Sequence, residues 1–160
     1  MKKILAMLLA LVMVLSLAAC ASTQPAAEPA ASSDAPAESG KTYTVGVCQL
    51  VQHEALDAAT QGFVDALKEA LGDAVTVDVQ NASGDSVNCG TIVNGFVSKG
   101  VDLIMANATP ALTAAVSATA DIPILGTSIT AYGVALDIDD FSGTVGGNVS
   151  GTSDLADLQK

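Results

Sequence analysis

Four short clusters in this 160-residue chain carry side chains able to recognise a small molecule: Gln49, Leu50 and His53; Asn81 and Asp85; Thr109 and Pro110; Ser128 and Thr130. Their chemistry is non-covalent. Amide, hydroxyl, imidazole and carboxylate groups supply hydrogen bonds, while Leu50 and Pro110 add apolar surface. Each cluster follows an apolar run, the place where the loops of an open parallel sheet gather around a crevice. Thr109-Pro110 reads as an N-cap hydroxyl followed by proline at the first helical position. The N–H groups behind it, on Ala111 and Leu112, then suit an anion such as a carboxylate. The chain contains no arginine, so a bound carboxylate must rely on backbone N–H groups, hydroxyls or lysine and not on a bidentate guanidinium. Every one of these residues also has a plainer role open to it. Asn81 and Asp85 fit a turn and a helix cap, Ser128 and Thr130 fit bonds to backbone, and His53, the single histidine, fits a solvated helix start.

Covalent, redox and metal chemistry find little footing. A cysteine nucleophile needs Cys48 near His53, yet five residues of extended chain span about 16 Å. A dinucleotide fold needs G-x-G-x-x-G after the first strand, where the chain reads Gly46-Val47-Cys48-Gln49. A phosphoacceptor needs carboxylates at that strand end, and finds Gln49 and Leu50. No His, Cys and carboxylate cluster has metal-ligand spacing. The sequence thus predicts no enzyme, no metal and no cofactor. A formal net charge of −11 argues against nucleic acid and anionic headgroups as partners.

The elements that must position these residues begin after residue 40. Before that, Lys2 and Lys3 precede an apolar run from Ile4 to Ala19, the order of an export signal, and its length is short for a membrane span. Leu17-Ala18-Ala19-Cys20 resembles the lipobox of bacterial lipoproteins, which implies lipidation of Cys20 and residues 1–20 as the signal. Residues 21–40, with Pro25, Pro29 and Pro36 among Ala, Ser and Glu, read as a disordered tether. Residues 41–160 have the length of one domain. Thr44 to Glu54 reads as a buried strand feeding a helix from His53 or Glu54 to Leu71. Ala74 to Gln80 alternates as an edge strand, and a helix from Ser86 to Lys99 follows, ended by Gly100. The continuous apolar runs Asp102 to Ala106 and Ile122 to Gly126 belong in the middle of the sheet, on either side of the helix that starts at Thr109. Tyr132 to Ile138 fits a further strand. The fold class is α/β, an open parallel sheet of order 2-1-3-4-5 with helices on both faces. Cys48 falls inside a strand and Cys89 on a helix stripe, a placement that favours two buried free thiols over a disulfide.

Five stretches also carry a family likeness: VGVCQLVQHEALDAATQGFVDAL from Val45, VQNASGD at Val79 to Asp85, VDLIMANATPA at Val101 to Ala111, DIPILGTSIT at Asp121 to Thr130, and GGNVSGTSDL at Gly146 to Leu155. Together they resemble the periplasmic-binding-type substrate-binding lipoproteins of ABC transporters, in the branch linked to tryptophan, tyrosine and related ligands. The chain departs from that pattern at Glu54, at Asn107 where an apolar residue is usual, and at Ala131. The resemblance implies two α/β lobes closing on a ligand, of which residues 41–160 are the first, with the second lobe absent. It also implies an exported chain, lipid-anchored on the extracytoplasmic face of a bacterial cell membrane. Its partners would be an aromatic or other apolar amino acid, a permease and an ATPase. A single-lobe sensor or interaction lipoprotein, and an inactive truncated copy, are the alternatives.

Overall fold

Apolar runs and helical stripes alternate along the chain, and the computed structural model, which describes residues 40–154, turns that alternation into one parallel sheet with helices on both faces. The signal, the Cys20 anchor, the tether up to residue 39 and the segment beyond Asp154 lie outside the described residues. β1 (Tyr43–Gln49) is buried from Val45 to Gln49, as a central strand must be. It pairs in parallel with β2 (Val75–Asn81) on one side and β3 (Leu103–Asn107) on the other. β4 (Ile124–Ile129) and β5 (Val149–Ser153) complete the order β2-β1-β3-β4-β5. The predicted strand order and fold class are the observed ones.

Side-chain period two divides the sheet into two faces. Val45, Val47 and Gln49 of β1, with Met105 and Asn107 of β3, lie under α1 (Glu54–Leu71). Gly46 and Cys48 of β1, with Ile104 and Ala106 of β3, lie under α2 (Ser86–Lys99) and α3 (Thr109–Ala118), which pack together. The core on this second face includes Phe96, Val93, Leu112 and Ile129, all fully buried. Gly46 is there for a steric reason: a Cβ on it would come within 2.6 Å of the Phe96 ring. At the far end of α2, Lys99 Nζ bonds Asp78 Oδ2 at 2.7 Å and holds that carboxyl below its usual range. An exposed pair of this kind adds little stability.

Two local readings are corrected. Tyr132 to Ile138 is not a strand. Tyr132–Ala135 forms a short helix, α4, and the fifth strand is Val149–Ser153 in the glycine-rich segment. The apolar alternation misleads because its members do not share a face: Tyr132 is buried while Val134 is 86% exposed. The Tyr132 ring lies across Gly126 of β4, its hydroxyl donates to Thr152 O at 3.3 Å, and only glycines leave room for it there. The second correction concerns α3. Ala108, not Thr109, is the N-cap, and Thr109 is the first helical residue.

Candidate functional site

At the carboxyl edge the strand ladder continues into the loops. Leu50 N–H donates to Asn107 O at 3.2 Å, Ala82 N–H to Gln49 O at 2.9 Å, and Gly84 N–H to Leu50 O at 2.8 Å. Ala108 N–H donates to Thr127 O at 3.0 Å and Asp154 N–H to Ile129 O at 3.1 Å. The first residues past β1, β2, β3 and β5 are therefore fastened by backbone to the ends of neighbouring strands or to each other. Three non-glycine residues near this edge stand at positive φ: Ser83 at 56° after β2, Ala108 at 90° after β3, and Ser128 at 56° near the end of β4. Such conformations are disfavoured for side-chain-bearing residues and collect at binding edges where the surrounding structure over-determines them.

Beneath this edge, on the α1 face, a polar network is built from the ends of β1 and β3 and one turn of α1. Gln49 uses both ends of its amide. Its Nε2 donates to Asp57 Oδ1 at 2.6 Å and Val51 O at 2.9 Å, and its Oε1 accepts from Thr60 Oγ1 at 2.6 Å. Asn107 Nδ2 donates to Leu56 O at 2.8 Å and Thr60 Oγ1 at 2.9 Å. Asn107 is fully buried, and its Oδ1 has no hydrogen-bond partner. Sequence reasoning passed over Asp57 and Thr60. The signal was available: Thr60 sits one turn from Leu56 and from Val64 on the buried stripe of α1, and a polar residue on such a stripe must find a partner.

The nine predicted residues all lie on or beside this edge, and five of them line three separate concavities. Gln49 and Asn81 share a groove of about 740 Å³ with Asp57 and Ser83, on the side of α1 and β2. Thr109 and Pro110 open on a groove of about 470 Å³ between α2 and α3. Thr130 borders an apolar hollow of about 360 Å³ with Tyr132, Val134 and Phe141. Leu50 is half-buried, and its amide joins the edge ladder. His53 and Asp85 are exposed helix caps: His53 Nδ1 accepts from Ala55 N–H at 3.2 Å, and Asp85 Oδ1 from Val87 N–H at 2.8 Å. Asn81 Oδ1 accepts from Ser83 N–H at 2.8 Å and shapes the turn. Ser128 stands at the irregularity where the pairing of β4 with β5 shifts register.

The start of α3 differs from the anion site read from sequence. Ala111 and Leu112 N–H groups both donate to Ala108 O at 3.1 Å, and Pro110 has no N–H. Among the described residues only the Thr109 N–H and hydroxyl are left without a protein partner at this helix start. The tight first turn, set by the positive-φ backbone of Ala108, takes up the donors that an isolated N-terminus leaves free. No group of three His, Cys, Asp or Glu side chains able to hold a metal occurs among the described residues. None of their helices is long and apolar enough to cross a membrane.

An open parallel α/β sheet whose loops knit into one carboxyl edge is the frame of a ligand-binding lobe, and residues 44–160 match the family described as ABC transporter substrate binding protein. The chain belongs to that family. It is 38% identical over 166 residues to a tyrosine-binding protein of Clostridioides difficile (strain R20291), an alignment covering 99% of this chain and 46% of that protein. Among solved structures it resembles a ligand-free, open substrate binding protein with adhesive properties from Clostridium difficile, with TM-score 0.66 and 40% identity over 73% of this chain and 40% of that one. It also resembles an ABC domain in complex with L-Trp from Streptococcus pneumoniae, with TM-score 0.64 and 35% identity over 71% and 39% of the two chains. A conserved domain protein from Vibrio cholerae gives TM-score 0.67 and 38% identity over 73% and 40%. The chain thus spans less than half the length of these relatives.

Proposed function

We propose that this chain supplies one wall of the amino-acid site of an ABC uptake system, for an aromatic or other apolar amino acid, and that the ligand rests on the carboxyl edge. The observation that carries this reading is the gathering of positive-φ Ser83, Ala108 and Ser128 at the carboxyl ends of β2, β3 and β4. Strain is retained where a backbone must be presented in a set conformation. The relatives' tyrosine and L-Trp ligands supply the class. In this reading the polar groups of the edge meet the ligand: the Thr109 N–H and hydroxyl face its carboxylate, and His53, Asn81, Asp85, Ser128 and Thr130 stand along the rest of the edge. Gln49 acts beneath them as a brace, because both ends of its amide are already bonded. Leu50 and Pro110 offer apolar surface to the side chain. Cys20 is the lipid anchor on the extracytoplasmic face, and a permease and an ATPase are the partners.

The test is a nuclear magnetic resonance titration of the chain with L-tryptophan, L-tyrosine and L-phenylalanine at millimolar concentration. Millimolar strength corresponds to about −4 kcal/mol, a reasonable yield for a ligand enclosed on one side only. The expected shifts fall on residues 49–53, 81–85, 109–110 and 128–130, and weaken for the decarboxylated amines. Shifts confined to other parts of the fold, or none, overturn the reading.

A further inference from the structure

Sequence reasoning favours Cys48 and Cys89 as two buried free thiols, and the fold brings them together. Three observations locate them. Cys48 follows Gly46 by two residues on β1 and so shares its face, the face that meets the Phe96 ring. Cys89 precedes Phe96 by seven residues on α2, two helical turns along the same stripe. The loop that starts α2 is already tied to the residues just past Cys48, through Ala82 N–H to Gln49 O and Gly84 N–H to Leu50 O. The first turn of α2 is therefore held directly over the end of β1. Both side chains are fully buried in one core cluster, and both are free thiols.

We propose that Cys48 and Cys89 are a disulfide-forming pair, which closes by exchange with a disulfide oxidant while the chain is still folding and then clamps α2 to β1. The exchange balances without any group the protein lacks other than that oxidant. One cysteine thiolate attacks a sulfur of the oxidant's disulfide and releases a thiolate. The second cysteine thiolate then attacks the resulting mixed disulfide and releases the other. Two protein thiols become one S–S bond, the oxidant's disulfide becomes two thiols, and the two protons lost from cysteine end on them. Timing follows from the fold. Burial, and then the neighbouring Cys89 thiol, push the Cys48 thiol up to about 12, and burial raises Cys89 as well. Thiolates are the reactive form, so the folded pair resists oxidation once reduced, and a formed bridge is shielded from reductants. The open chain, where both thiols ionise normally and are accessible, is the competent state. The bridge would join residues 41 positions apart, and closing a long loop restricts the unfolded chain.

The full chain is unfolded in urea, refolded in a mixture of oxidised and reduced glutathione, and digested with trypsin without reduction. Cleavage after Lys41, Lys68 and Lys99 puts the two cysteines in separate peptides, 42–68 and 69–99. The expected product is these two peptides joined, lighter by two hydrogens than their sum, with a Tm for the oxidised chain above that of the reduced chain. Cys89→Ala treated in the same way shows no such gain. Recovery of both thiols as alkylated monomers after refolding overturns the proposal. So does a joined product with a Tm below that of the reduced chain, because such a bridge would distort the native packing.

Discussion

Single residues at the carboxyl edge carry strain and polarity that the rest of the fold must hold in place. Ala108 has φ 90° and ψ 156°, a region suited to glycine, so Ala108→Gly should relieve strain. The added freedom of glycine in the unfolded chain offsets part of that gain. A net stabilisation of about 1 kcal/mol is expected, read as a higher urea midpoint at unchanged slope. Thr60 has the opposite character. Its hydroxyl donates to Gln49 and accepts from Asn107, and Thr60→Val keeps the shape while leaving Gln49 Oε1 without that donor. Loss of about 1–3 kcal/mol should follow in the same urea measurement. A neutral result would mean that water replaces the hydroxyl in the network. Asn107 has an orphaned Oδ1, which marks it as the least settled member of the network.

At the scale of elements, the seating of α2 on β1 depends on Gly46. Gly46→Ala places a methyl group within 2.6 Å of the buried Phe96 ring and must push ring or helix aside. A destabilisation of about 1–3 kcal/mol is expected, part of which Phe96→Leu in the same chain should recover by vacating the space. Additive losses in the double variant would place the strain elsewhere. The same interface titrates in the reduced protein. The folded state keeps Cys48 protonated up to about 12, whereas the open chain loses that proton near the ordinary thiol value of 9.0. Above that lower value the open chain binds fewer protons than the folded one, so stability falls with rising pH. Full stability below pH 9 and a decline between pH 9 and about 12 are expected from thermal melts, and Cys48→Ala should flatten the slope. A slope unchanged in Cys48→Ala would assign the decline to other groups.

For the whole molecule, the lipid anchor at Cys20 and the ligand edge are separable parts of one proposal. Cys20→Ala should abolish incorporation of labelled palmitate and release the protein from the membrane fraction, with the carboxyl-edge shifts on ligand addition unchanged. Continued palmitate uptake by Cys20→Ala would place the acyl chain on another residue. An edge that contacts its ligand on one face leaves the other wet, so residues 40–154 by themselves should bind weakly.

Sequence alone determined the sheet order and most element boundaries, because those depend on local signals. The apolar run of β1, the stripe of α1 ended by Gly72, the Asp85 cap and Gly100 stop of α2, and Pro123 just ahead of β4 all act within a few residues of chain. Burial then makes the order 2-1-3-4-5 the economical solution, since continuous apolar strands must sit centrally. Tertiary structure decided the rest wherever the outcome depended on residues far apart in the chain. Tyr132 lies across Gly126 and bonds Thr152, so the segment that alternates like a strand turns into α4 and a glycine-rich segment becomes β5. Ala108 O takes up the Ala111 and Leu112 donors, which removes the anion site that the Thr109-Pro110 pair predicts. Gln49, Thr60 and Asn107 become partners across 11 and 47 residues. Each is legible singly as a polar residue in a buried position. Which partner satisfies it is settled only when α1 crosses the ends of β1 and β3, because a hydrogen bond is set by distance in space and not by spacing along the chain.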